Sequence, residues 1–123
     1  METNFEYILL KKLVVNGEYF GKVIHLLESK YFASIGNQEL FKLVKTYYSE
    51  YKSIPSITEL IASVKNVPNE EIRASIIADL QKINATEEVQ NLEFMLDETV
   101  TFVKDALFLE SLILGGDYIQ HKD

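Results

Sequence analysis

Gly17-Glu18-Tyr19-Phe20-Gly21-Lys22-Val23 is the stretch that comes nearest to a phosphate-binding loop. Such a loop needs four residues between its first glycine and the Gly-Lys pair, followed by Ser or Thr to hold magnesium, so that backbone N–H groups converge on the phosphates. Here three residues intervene and Val23 stands where the hydroxyl belongs. Tyr19 and Phe20 put bulk where the backbone would have to close on an anion. The stretch reads as a helix start after Asn16, not as an ATP site, and no cofactor is implied.

Metal and acid–base chemistry fare no better. His25 and His121 are the two histidines, and neither has a ligating partner at helical spacing, so both read as surface or half-buried side chains. Glu70-Glu71, Glu87-Glu88 and Asp97-Glu98 are carboxylate pairs of the kind used for two-carboxylate catalysis or hard-cation binding. The first two pairs fall in helix first turns, where the helix dipole favours anions, and the third falls on a solvated helix face. Tyr47, Tyr48 and Tyr51 read as core and rim packing before a base-stacking platform. No catalytic, cofactor-binding or metal-ligating constellation emerges.

The elements that would position these residues are helices throughout. Phe5, Ile8, Leu9 and Leu13 form one stripe, ending near Asn16-Gly17, and Phe20, Val23, Ile24 and Leu27 form a second. Between Ser29 and Gly36 the period lapses, and Tyr31, Phe32 and Ile35 are expected to tuck a loop onto the core. A third helix over 37–52 carries Leu40, Phe41, Val44, Tyr47, Tyr48 and Tyr51 on one side and Lys42, Lys45, Ser49 and Glu50 on a solvated one. Pro55 stops the chain, and Ser56 with Glu59 makes a capping box opening a short helix whose buried stripe is Ile57, Leu60, Ile61 and Val64. After Asn66-Val67-Pro68, Asn69 caps a fifth helix carrying Ile72, Ile76, Leu80 and Ile83 to about Asn84.

The last segment differs. With Thr86 as its cap, an unbroken helix is expected from Glu87 to Leu114, about 42 Å long at 1.5 Å per residue. Leu92, Met95, Leu96, Val103, Leu107 and Leu114 make one stripe, while Phe94, Phe102, Phe108, Leu109, Leu112 and Ile113 spread apolar surface beyond it. A helix apolar around most of its girth must be covered on more than one side. Two arrangements achieve that: it threads the centre of a bundle, or its far half projects and pairs with another chain. The surplus concentrates at the C-terminal end, which favours pairing. The fold expected is all-α: a small bundle of about five short helices in a head over 1–85, followed by one long helix over 86–123.

Composition bounds the rest. The 123 residues are 47% hydrophobic, enough for one domain core, and carry 12 basic against 19 acidic side chains, a net charge of -7. That charge repels phosphate backbones, and Lys11-Lys12 is the one small basic cluster, so strong direct nucleic-acid binding is not expected. A local lysine face at Lys11, Lys12, Lys42 and Lys45 stays open. The absence of cysteine removes disulfides, thiolate metal sites and cysteine nucleophiles. The first residues are acidic where a signal peptide would be basic. The longest apolar run, Ala106 to Leu114, holds Glu110 and is short of the ~20 residues of a membrane span. A soluble, intracellular protein without membrane contact is expected.

Taken in order, Tyr19-Phe20-Gly21-Lys22-Val23, Tyr31-Phe32-Ala33-Ser34, Phe41-Lys42-Leu43-Val44-Lys45 and Tyr51-Lys52-Ser53-Ile54-Pro55-Ser56-Ile57 resemble the N-terminal domain of DnaB-type hexameric replicative helicases of tailed bacteriophages, over roughly residues 7 to 114. The resemblance implies a helical domain without ATPase motifs. Its hairpins pair between subunits, as a trimer of dimers in the parent, into a collar that docks primase or another replisome protein in the cytoplasm of a bacterial host. It further implies that Glu87 to Leu114 is the first arm of such a hairpin, with Phe102, Phe108, Leu109, Leu112 and Ile113 at a protein interface. The second arm and the motor domain have no matching residues here, so the resemblance implies either a chain truncated before them or a product that has lost the motor. Two readings of other classes stand beside this one: a stand-alone α-helical adaptor or regulator of replication proteins, and a small helical enzyme or metal protein using the paired acids.

Overall fold

Six side chains decide where the helices begin. The oxygens of Asn4, Asn16, Ser34, Ser56, Asn69 and Asn91 accept hydrogen bonds from the backbone N–H groups of Glu6, Tyr19, Asn37, Glu59, Ile72 and Phe94, at 2.7–3.1 Å. Each satisfies a donor that the first helical turn leaves without a partner, a contribution of about 1 kcal/mol. The computed structural model describes the backbone of residues 4–122 and the side chains of residues 4–113. Among the described residues it is all-helical: α1 (Phe5–Val15), α2 (Gly17–Val23), two 3₁₀ turns (Ile24–Leu26 and Ser29–Tyr31), α3 (Ile35–Tyr51), α4 (Ile57–Val64), α5 (Glu70–Ala85) and α6 (Leu92–Lys122). Five shorter helices are thus followed by one long C-terminal helix, as the periodicity predicts. No described helix is long and apolar enough to cross a membrane. Expectations resting on Leu114 and His121 lie outside the described side chains.

Four boundaries differ from the sequence reading: α2 gives way to a 3₁₀ turn after Val23, short of Leu27, and α6 runs on through Gly115-Gly116 to Lys122 instead of ending at Leu114. Helix α3 opens at Ile35, because Ser34 caps it, and Ile35 stands 48% exposed instead of tucked onto the core. Helix α6 opens at Leu92, not Glu87. Thr86 belongs to the end of α5, where its hydroxyl donates to the Lys82 carbonyl and its N–H to that of Ile83. Residues 86–91 are consequently a connector, and Asn91 caps the long helix. At 31 residues, α6 extends about 46 Å.

Helix α3 packs chiefly on α5. Helix α1 lies on α2 and α5, α4 closes over α5 and α3, and α6 rests on α2 and the second 3₁₀ turn. The shared core joins Leu9, Leu13, Tyr19, Phe32, Phe41, Val44, Ile76, Ile83 and Met95, all buried. Helices α3 and α5 approach closely at Gly36, where an added Cβ would sit 2.6 Å from the Ser75 carbonyl oxygen and meet the Asp79 carboxylate. Four residues placed on apolar stripes by their spacing are exposed: Tyr48 at 41%, Tyr51 at 63%, Ile61 at 45% and Leu107 at 44%.

Candidate functional site

The Gly17–Lys22 stretch folds as a helix. Asn16 caps it, Tyr19 and Phe20 are buried, and no phosphate loop exists there. His25 is exposed. Among the described residues no cluster of three or more His, Cys, Asp or Glu side chains is arranged to hold a metal ion. Glu70 and Glu71 stand in the first turn of α5, and Asp97 and Glu98 are exposed on α6. Glu87-Glu88 falls in the connector instead of a first turn, and Glu88 has a specific partner there.

That partner is Lys12. Its side chain is 1% exposed, and its ammonium donates to Glu88 Oε2 at 2.7 Å. The hydrogen bond from Lys12 holds the Glu88 carboxyl below the usual carboxylate range. Lys11 Nζ donates to the Asn84 carbonyl at 3.2 Å, Lys42 pairs with Glu39 at 2.8 Å, and Lys45 lies 5.7 Å from the centre of the Phe41 ring. Lys12 is thus engaged inside the fold, while Lys42, 57% exposed, and Lys45 keep their ammonium groups at the surface. Tyr48 packs against Phe20 and Tyr47 against Tyr51, the rings tilted by 49° and 46° with centres 4.8 and 4.6 Å apart, and the Tyr47 hydroxyl donates to Glu59 Oε2. These tyrosines pack and cap; they are not arrayed as a stacking platform.

Spacing gave no hint of a second set of polar groups, which fixes the angles between the helices. Glu6 Oε1 accepts from Asn37 Nδ2 at 2.9 Å and Oε2 from the Ala33 N–H at 3.0 Å, while Asp79 accepts from the Tyr7 and Ser34 hydroxyls at 2.8 Å. Burial, then the bond to Asp79, pushes the Tyr7 phenol up to about 12. On the opposite side, the Tyr19 hydroxyl meets Thr99 Oγ1, which itself donates to the Met95 carbonyl. Burial pushes the Tyr19 phenol up to about 12 as well. Tyr19–Thr99 and Lys12–Glu88 together pin the start of α6 to the head.

The structure divides the five residues expected at an interface. Phe102 is half-buried, its ring centre 5.9 Å from that of Phe5 and 5.5 Å from that of Phe32, so it closes the core of its own head. The other four lie beyond that point: Phe108 is 63% exposed, Leu109 59%, Leu112 55% and Ile113 83%. Past Val103 the helix overhangs the head, and one ion pair reaches it among the described residues, Lys30 to Glu110 at 2.8 Å. Beneath the overhang is a cleft of about 510 Å³ whose walls include Phe32, Phe102, Ala106, Leu109 and Ile113. Phe108, Leu109, Leu112 and Ile113 thus leave an exposed apolar patch on the far part of α6.

No protein-family model matches the chain. A stretch of 59 residues is 39% identical to a DnaB-like replicative helicase of Enterobacteria phage T4. The stretch is 48% of this chain and 12% of that protein, so the likeness concerns a small part of the relative's length.

Proposed function

We propose that the chain is a non-catalytic assembly domain of a phage replicative DNA helicase. In this reading residues 1–85 form a helical head and 86–123 a projecting helix. Subunits pair through that helix into a collar, and the collar docks primase or another replisome protein in the cytoplasm of the host. The observation that carries the reading is the 39% identity with a DnaB-like replicative helicase across nearly half of the chain. The overhang supports it physically: interfaces of obligate homo-oligomers are more apolar than ordinary surface, and Phe108, Leu109, Leu112 and Ile113 supply such a surface on a rigid helix. The head is then a mount. Its polar pins fix the direction in which α6 leaves, and that direction decides which neighbour the helix meets.

Static light scattering with circular dichroism tests the assembly role. Leu109→Asp with Leu112→Asp should reduce the self-associated mass while leaving helicity unchanged, because both side chains lie outside the core. An unchanged mass would refute the assignment of this face to pairing.

A further inference from the structure

Asn16-Gly17 is the one Asn-Gly pair in the chain, and it forms the corner between α1 and α2. This dipeptide carries a chemistry of its own. With no Cβ beside it, the Gly17 nitrogen is unhindered and can attack the side-chain carbonyl carbon, Cγ, of Asn16. Asn16 is half-buried and Gly17 exposed, so water reaches the pair. The Gly17 N–H makes no hydrogen bond among the described residues, being one of the donors that a first helical turn leaves free. Nothing in the fold calls for glycine at this position. Its φ is not positive, and an added Cβ would meet Ile54 Cδ1 at 3.9 Å, an ordinary contact.

The native corner holds the reacting atoms apart. Closing a five-membered imide requires the Asn16 Cβ and the Gly17 nitrogen to be eclipsed about the Asn16 Cα–C bond. With ψ at 107° they are far from eclipsed, and the Tyr19 N–H holds the side-chain oxygen at 2.8 Å. Reaction therefore waits on a local opening of the corner. What keeps the corner shut stands next to it. Lys12, in the last turn of α1, meets Glu88 at 2.7 Å. The Glu88 carboxyl is lowered chiefly by that bond and, to a smaller extent, by the side-chain amides of Gln90 and Asn16. Glu88 thus holds both α1 and the corner.

We infer that Asn16-Gly17 is a site of spontaneous deamidation, gated by the contact of Lys12 with Glu88. When the corner opens, the Gly17 nitrogen gives its proton to a solvent base and bonds to Asn16 Cγ. The Cγ–Nδ2 bond breaks, and the amide nitrogen leaves as ammonia. Water then opens the imide, at Cγ to leave aspartate or at the main-chain carbonyl to leave isoaspartate. Either way a side-chain amide has become a carboxyl group, a gain of one mass unit. The product has lost the amide that served Glu88 and sets a second carboxylate beside it, so the two compete for Lys12. Isoaspartate also lengthens the main chain by one carbon between α1 and α2. The change is one-way, and it loosens the root of α6 from the head.

Peptide mapping by mass spectrometry, after the intact chain is held at mildly alkaline pH, tests this. The urea-unfolded chain supplies the ungated rate, and circular dichroism fixes a temperature at which every variant is fully helical. Asn16 is expected to be the main site of the mass gain, at a rate roughly tenfold or more below that in urea. Glu88→Gln should raise the native rate several-fold. Gly36→Ala, which weakens the contact of α3 with α5 instead, should leave it near that of the wild type. Gly17→Ala should suppress the gain at Asn16 in the native chain and in urea alike. A native rate equal to that in urea, or no acceleration by Glu88→Gln, would overturn the gate. Equal acceleration by Gly36→Ala would assign the gate to unfolding of the whole chain. A native mass gain that falls on another asparagine in preference to Asn16 would overturn the site. Asn16→Asp reads the consequence: it should melt below Asn16→Ser, which caps without a charge, and equal melting of the two would show that a carboxylate beside Glu88 does not loosen the head.

Discussion

Replacing Glu88 with Gln tests how the long helix is held. Lys12 is buried at 1% exposure and its ammonium meets Glu88 Oε2 at 2.7 Å, so the substitution keeps the shape and a hydrogen-bond acceptor but strands a positive charge in the head. Removing one partner of a fully buried pair costs about 3–5 kcal/mol. Glu88 is 26% exposed, which lets water reach the pair, and the cost should fall to roughly 2–3 kcal/mol after that discount. For a chain of this size each kcal/mol moves the melting temperature by about 3–5 °C, so Glu88→Gln should melt about 10 °C below the wild type. Lys12→Met removes the charge and keeps most of the volume, leaving a carboxylate that water can hydrate. It should change stability by less than about 1 kcal/mol, and the double variant should recover most of the loss of Glu88→Gln. Thermal melts of the three variants by circular dichroism decide this. Equal, additive effects of the two single substitutions would refute the reasoning, because they would mean that Lys12 is not an uncompensated charge when Glu88 is gone.

The same pair sets a pH dependence. The folded carboxyl of Glu88 is held below its ordinary value by the bond from Lys12, so its stabilisation is present above the unfolded pKa and disappears as pH falls through the folded one. The gap in melting temperature between wild type and Glu88→Gln should therefore be full at pH 7 and close progressively below about pH 4.5; a gap independent of pH would contradict the pairing. Gly36→Ala should destabilise by about 2–3 kcal/mol, since a Cβ there meets the Ser75 carbonyl at 2.6 Å and backbone cannot yield as a side chain can. An unchanged denaturant midpoint would show that α3 and α5 are less tightly apposed. In an ultraviolet titration, Tyr7 and Tyr19 should ionise only near pH 12, and the stability their neutral phenols confer should be complete below about pH 10 and be lost as pH rises toward 12. Ionisation of all the tyrosines together near pH 10 in the folded protein would contradict the burial of those two hydroxyls.

Some helix starts were legible from a short polar side chain before an apolar period, whereas spacing passes over the caps Ser34 and Asn91. Asn16, Ser56 and Asn69 are the legible cases, and the capping box of Ser56 and Glu59 formed with both of its hydrogen bonds. Thr86 misled for a physical reason: a hydroxyl can satisfy the carbonyls ending one helix as readily as the N–H groups opening the next, and here it serves α5. Periodicity places Tyr51 and Ile61 on apolar stripes, but a stripe is buried only where the tertiary structure supplies a neighbour. Lys12 was hidden by its type, since a lysine within an apolar run reads as an interruption until Glu88, 76 residues away, is brought to it. The Glu6–Asn37 and Tyr7–Asp79 bonds likewise join residues 31 and 72 positions apart, beyond any local pattern. Phe102 and Phe108 look alike in sequence. What separates them is where the head ends, because Phe102 still meets Phe5 and Phe32 while Phe108 has passed beyond the core.

On the proposed reading, a second copy covers the overhang of α6. Sedimentation equilibrium of the wild-type chain over a wide range of concentrations tests it most directly. The average mass should rise from the 14.1 kDa of a single chain to multiples of it as concentration increases, and salt should weaken that rise only modestly, because burial of apolar side chains supplies most of the affinity. A mass that stays at 14.1 kDa at every concentration would contradict the account and leave the exposed face of α6 without the role assigned to it.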